Sequence, residues 1–178
     1  MRLFTGVELP EDVSLDLKMM QSGIAGAQWI DAASFHITLR FIGDIEDGLA
    51  REVAFALGRL ETKPFNLAIK GFGVFGGKKP HALIALLEEN ADLLKLHLAQ
   101  ERLCQSLGLV PEPRKFIPHV TLAVLGDLNP LDLGNFIEKH ALYRSRKFLV
   151  ERFVLFSARS SRRGGPYVVE ESYVMVGT

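Results

Sequence analysis

One cysteine, one tryptophan and no long apolar run set the first limits on this chain. Cys104 has no partner for an intramolecular disulfide, so the core must hold the fold unaided, and a reducing, cytoplasmic setting is the expected one. No apolar stretch approaches the roughly 18–20 residues of a membrane-spanning helix. Met1-Arg2-Leu3-Phe4-Thr5 enters a strand-like pattern without the layout of a secretory signal. Excess charge is also missing: 21 Lys plus Arg stand against 21 Asp plus Glu, a formal net charge of zero. A bulk electrostatic grip on long nucleic acid, which needs a basic surface, is thereby disfavoured, while a local basic patch is not. HExxH and CxxC are absent, so no metal site is expected. No G-x-S-x-G elbow points to a serine hydrolase.

What the chain does have is a stretch that occurs twice. His36-Ile37-Thr38-Leu39-Arg40-Phe41-Ile42-Gly43-Asp44-Ile45 returns as His119-Val120-Thr121-Leu122-Ala123-Val124-Leu125-Gly126-Asp127-Leu128, with five of ten positions identical. Strand alternation predicts His36, Thr38 and Arg40 on one face, with His119 and Thr121 on the equivalent face of the second copy. Ile37, Leu39 and Phe41 then point into a core, as do Val120, Leu122 and Val124. Packing alone would preserve the apolar positions. It gives no reason to preserve a histidine and a threonine, so the two copies read as halves of one site.

The flanks repeat as well. Residues 2–9 read as a strand, and Pro10 opens a helix whose Val13, Leu17, Met20 and Ile24 share a face. A short strand around 28–30 and the first motif strand, about 35–42, follow. Gly43-Asp44 leads to a second helix marked by Leu49, Val53, Leu57 and Leu60. Strands are expected at 65–75 and 81–87, then a helix capped by Asn90 and closed near Gly108. The second motif strand, 118–125, precedes a short helix near 131–140 and strands at 147–158 and 166–176, separated by a basic loop, Arg159 to Gly165. With 178 residues and no long linker, the expectation is a single bilobal α+β domain spanning 1–178. Each lobe is expected to be a mainly antiparallel sheet with outer helices, and the duplication spans roughly half the chain per copy.

Two imidazoles titrating near neutrality can act as an acid–base pair, and a threonine hydroxyl two residues on can hold an anionic oxygen. These groups suit a phosphodiester without a metal or other cofactor. The remaining histidines, His81, His97 and His140, read as surface or packing residues.

On these motifs the chain resembles the two-histidine phosphoesterase superfamily, and within it the RNA 2′,3′-cyclic phosphodiesterases, first described as RNA ligases of the 2′–5′ type. Arg2-Leu3-Phe4, Glu8-Leu9-Pro10, Phe156-Ser157-Ala158-Arg159 and Gly165-Pro166-Tyr167 also fit. The resemblance implies a bilobal fold with a central cleft holding both motifs, and opening of a 2′,3′-cyclic phosphate, on RNA ends or small cyclic nucleotides, to a 2′-phosphate. It makes His36 the proton donor, His119 the base, and Thr38 and Thr121 the phosphoryl ligands. Many members carry an arginine shortly after the second motif, where this chain has Ala123-Val124-Leu125. Arg40, or the loop with Arg159, Arg162 and Arg163, is the expected replacement cation, and Phe4 is a candidate to stack a base. Two other readings use the same residues: a binding module for nucleotides or RNA ends without turnover, and 2′–5′ ligation. A monomer without membrane attachment is expected.

Overall fold

The computed structural model describes residues 2–158 and 167–177. In chain order the elements are β1 (Arg2–Glu8), α1 (Glu11–Met20), β2 (Gln28–Trp29), β3 (His36–Asp44), α2 (Asp47–Leu57), β4 (Phe65–Leu67), β5 (Ile69–Phe75) and β6 (Ala82–Leu87). Then come α3 (Ala91–Ser106), β7 (His119–Val124), α4 (Pro130–Lys139), β8 (Phe148–Val150), β9 (Arg152–Ala158) and β10 (Val168–Val174).

The expected cap of α3 operates, and α4 has one that the sequence reading did not assign. Asn90 accepts from the Leu93 N–H at 2.9 Å to start α3, and Asn129 accepts from Leu131 at 2.9 Å ahead of Pro130 in α4. Glu11 and Asp12 occupy the first turn of α1, where the helix dipole favours negative charge. That helix stops at Met20, before the expected Ile24. The chain turns through Gly23 and Gly26, both at positive φ, and Ile24 reaches the core from the turn. Each long strand expected near the end of a copy is two strands: 65–75 breaks after Leu67, and 147–158 breaks after Val150.

Among the described residues all strand pairs are antiparallel. One sheet has the order β10-β9-β1-β3, the other β2-β7-β6-β5, and β4 pairs with β8. The run β1-α1-β3-α2-β4-β5 thus corresponds to β6-α3-β7-α4-β8-β9. Each copy sends its last strand to the first strand of the other: β5 joins β6, and β9 joins β1. The duplication thus spans half the chain per copy, while each sheet draws strands from both copies. One continuous core serves both, joining Ile37 and Leu39 of β3 to Val120 and Leu122 of β7. A smaller cluster of Phe4, Val154 and Phe156 lies apart from it, with Phe41 and Ala158 packed on.

A bulge interrupts each motif strand at the same place. Pairing of β3 with β1 passes from Gly6↔Thr38 to Thr5↔Arg40, skipping Leu39. Pairing of β7 with β6 passes from Ile84↔Thr121 to Leu83↔Ala123, skipping Leu122. An extra residue reverses the alternation beyond it. Arg40 is accordingly turned inward, 5% exposed, and so is Ala123 at 0%, whereas Val124, expected in the core, is 46% exposed. Among the described residues no helix is long and apolar enough to cross a membrane.

Candidate active site

Both motif histidines begin their strands, and in both the backbone two residues earlier takes hold of the ring. Asp31 caps a short 3₁₀ turn, Ala32–Ser34, by accepting from the Ala33 N–H at 2.9 Å. The turn aims the Ser34 carbonyl at His36 Nδ1, 2.9 Å away. In the second copy Pro118 favours an extended Ile117, whose carbonyl lies 2.7 Å from His119 Nδ1. A carbonyl can only accept, so Nδ1 of each ring carries a proton and donates it. Nε2 is left as the nitrogen that gains or gives up a proton. In the first copy it faces the Thr38 hydroxyl, with Oγ1 at 3.1 Å.

Thr38 and Thr121 are partly buried on the same faces as their histidines. Strands β3 and β7 are in direct contact. Burial of His36 holds its pKa below the ordinary value, the charge of His119 pushes it the same way, and the Ser34 carbonyl opposes them. His119 is lowered by burial against the pull of the Ile117 carbonyl.

Aromatic rings wall each imidazole. Phe4, Tyr167 and Phe156 lie with centroids 5.0, 5.0 and 5.7 Å from that of His36, and Phe75 lies 4.8 Å from His119. Phe156 and Phe75 hold equivalent places: β9 sets Phe156 opposite Phe4, and β5 sets Phe75 opposite Ala82. Gly6 makes room for this wall, because a Cβ there would come 2.8 Å from the Ile37 carbonyl oxygen and 3.2 Å from the Phe156 ring. Beside His36 opens a cavity of about 440 Å³ whose lining includes Ser34, Lys18, Glu8, Phe156 and Tyr167.

The structure thus carries His36 with Thr38, and His119 with Thr121, on two strands in contact, and turns Arg40 away from them. Arg40 is paired with Glu101 through Nε, donates to the Phe41 carbonyl through Nη1, and donates to the Val110 carbonyl from Nη2 at 2.7 Å. Phe4, the candidate stacking residue, is 5% exposed and packs beneath His36. Arg159, Arg162 and Arg163 lie outside the described residues. Among the described residues no group of three or more His, Cys, Asp or Glu is placed to hold a metal ion. Sequence reading assigned no role to the Ser34 and Ile117 carbonyls or to Phe75 and Tyr167. The carbonyls carry no side-chain signal, and the rings sit on strands remote in sequence.

Two exchanged antiparallel sheets, each offering a His-x-Thr beside the other, define a two-histidine phosphoesterase. The family model for LigT like Phosphoesterase matches residues 7–85 and again 86–167, and the chain belongs to that family. An RNA 2′,3′-cyclic phosphodiesterase of Aquifex aeolicus (strain VF5) is 31% identical over 169 residues, covering 92% of this chain and 86% of that one. A crystal structure of a Thermus thermophilus protein superposes with a TM-score of 0.75 at 25% identity, over 98% of each chain. The E. coli LigT structure in its apo form has a TM-score of 0.78 at 17% identity, covering 99% of this chain and 98% of that one, which is a likeness of fold.

Proposed function

We propose that this protein opens ribonucleoside 2′,3′-cyclic phosphates, at RNA ends or on small cyclic nucleotides, to leave a 2′-phosphate. The observation that carries this reading is the matched pair of imidazoles, each held at Nδ1 by a backbone carbonyl two residues back. Each then has Nε2 for proton transfer. His119 Nε2 takes a proton from water as the water oxygen attacks phosphorus. The P–O3′ bond breaks, and His36 Nε2–H gives its proton to the departing 3′-oxygen. The assignment of acid and base follows the family resemblance. Thr38 and Thr121 hydroxyls donate to the phosphoryl oxygens, where charge accumulates in the transition state.

Pocket chemistry supports a nucleoside beside His36. Tyr167, 36% exposed on the cavity wall, offers a ring face for a base, a role the buried Phe4 cannot fill. The reaction needs no oxidant and no metal, and a cytoplasmic monomer is the form proposed. The single Cys104 is buried, which suits a reducing compartment.

Incubation with a nucleoside 2′,3′-cyclic phosphate followed by ³¹P NMR is the test. A 2′-phosphate is expected, at a rate unchanged by chelator. His36→Ala and His119→Ala should each lower kcat by about 10²–10⁴. A 3′-phosphate product, or tight binding without product, would overturn the proposal in favour of different chemistry or a binding module.

A further inference from the structure

The segment that delivers the second histidine has no regular structure of its own. Residues 110–118 belong to no helix or strand, and Pro111, Pro113 and Pro118 have no N–H to donate. Side chains from elsewhere hold it. Near its start, Arg40 of β3 donates to the Val110 carbonyl, and Glu101 of α3 accepts the Glu112 N–H at 3.0 Å. Near its end, Phe116 stacks on His97 of α3, with ring centroids 3.8 Å apart and planes within 3° of parallel.

His97 is 9% exposed and makes a second contact from the same ring. Its Nδ1 lies 2.7 Å from the carbonyl of Leu39, so Nδ1–H donates there. Leu39 is the residue that the ladder to β1 skips, next to Thr38. Phe116 immediately precedes Ile117, whose carbonyl holds His119 Nδ1–H. A path of direct contacts therefore runs from the bulge of the first motif, through one imidazole, to the backbone that orients the second catalytic ring.

We propose that His97 is a positioning residue that ties the bulge beside Thr38 to the Phe116–Ile117 backbone and so sets the orientation of His119. The proposal rests on the acid–base reading of His36 and His119. A residue needed only to fill space in α3 has no use for both halves of this ring. Here the N–H meets a carbonyl and the flat face meets Phe116. Asparagine can supply the donor without the ring, and phenylalanine the ring without the donor.

The test uses His97→Phe, His97→Asn and Phe116→Leu in the full chain. Each is expected to lower kcat about 10- to 100-fold with KM changed less than about twofold, since a small misorientation at a reacting group is that costly. In the His119→Ala background His97→Phe should alter the residual rate by less than about twofold, because His97 acts through a ring no longer present. ¹⁵N spectra of the imidazoles give a readout independent of turnover. His119 is expected in the Nδ1–H tautomer in the wild type and as a mixture of tautomers in His97→Phe and Phe116→Leu. Unchanged His119 signals in the folded variants would overturn the proposal, as would an equal loss from His97→Phe with and without His119. Phe116→Leu alters a loop side chain and supplies a folded variant should His97→Phe fail to fold. A wild type that forms no product would defeat the activity reading alone, leaving the spectra to decide this one.

Discussion

At the scale of single residues, the site combines two groups that burial discourages from carrying charge. His36 and His119 are both held below the ordinary imidazole value of 6.5, chiefly by desolvation, and His36 is lowered further by its neighbour. Acid–base catalysis by such a pair needs one ring protonated and one neutral. Below both titrations no base remains; above both, no acid remains. The window between them therefore lies on the acid side of neutrality in the free enzyme, and kcat/KM should follow a bell centred there. A bound cyclic phosphate brings a negative charge that favours protonated imidazole, so the bell for kcat should sit at higher pH than that for kcat/KM. Paired pH–rate profiles check both statements. A kcat/KM optimum above about pH 8 would contradict the assignment of two depressed imidazoles.

At the scale of elements, the bulge decides what each motif residue does. It leaves His36 and Thr38 on the open face and turns Arg40 to the interior, where Glu101 meets it. Burial pushes the Glu101 carboxyl up, but hydrogen bonds from Gln105, the Glu112 N–H and Arg40 outweigh this and hold its pKa low. The pair joins β3 to α3, and the side chains of Arg40 and Glu101 are 4% and 15% exposed. Arg40→Leu leaves that carboxylate without its cation, which should cost about 3–5 kcal/mol of stability. Substrate KM, measured on the folded fraction, should stay close to wild type. A large rise in KM with little loss of stability would instead place Arg40 at the phosphate. Ala123 stands at the same inward position in the second copy, whereas Val124 beside it is 46% exposed.

At the scale of the whole molecule, the exchanged strands make the two copies interdependent. Among the described residues, without β9 strand β1 keeps only β3 as a partner, and without β6 strand β5 keeps only the bridge of Lys70 to Arg144. Both copies also bury their motif strands in one shared core. We infer that residues 1–178 unfold as one unit, with calorimetric and van't Hoff enthalpies in agreement. A fragment of residues 1–88 should not fold stably, since it lacks β7 and β9. Two separate thermal transitions, or a folded fragment, would show that the lobes are independent.

The repeated His-x-Thr was legible in the sequence because polar identity at fixed spacing survives without knowledge of partners. The alternation of Ile37 and Leu39, the cap at Asn90, and the α+β class were legible for a similar reason: each depends on interactions within a few residues. What lay beyond the sequence depends on contacts between distant segments. Alternation fixed the side of His36 and Thr38 but misplaced Arg40, because a bulge exists only relative to the strand it skips. A strand's pattern likewise states which face is buried and leaves open which edge it joins, so the exchange of β5 and β9 awaited the tertiary structure. The local sequence determined that two copies of His-x-Thr exist on strands of like pattern. Long-range packing, which sets β3 against β7 and brings Phe156 and Phe75 from the opposite copies, decided what surrounds each ring.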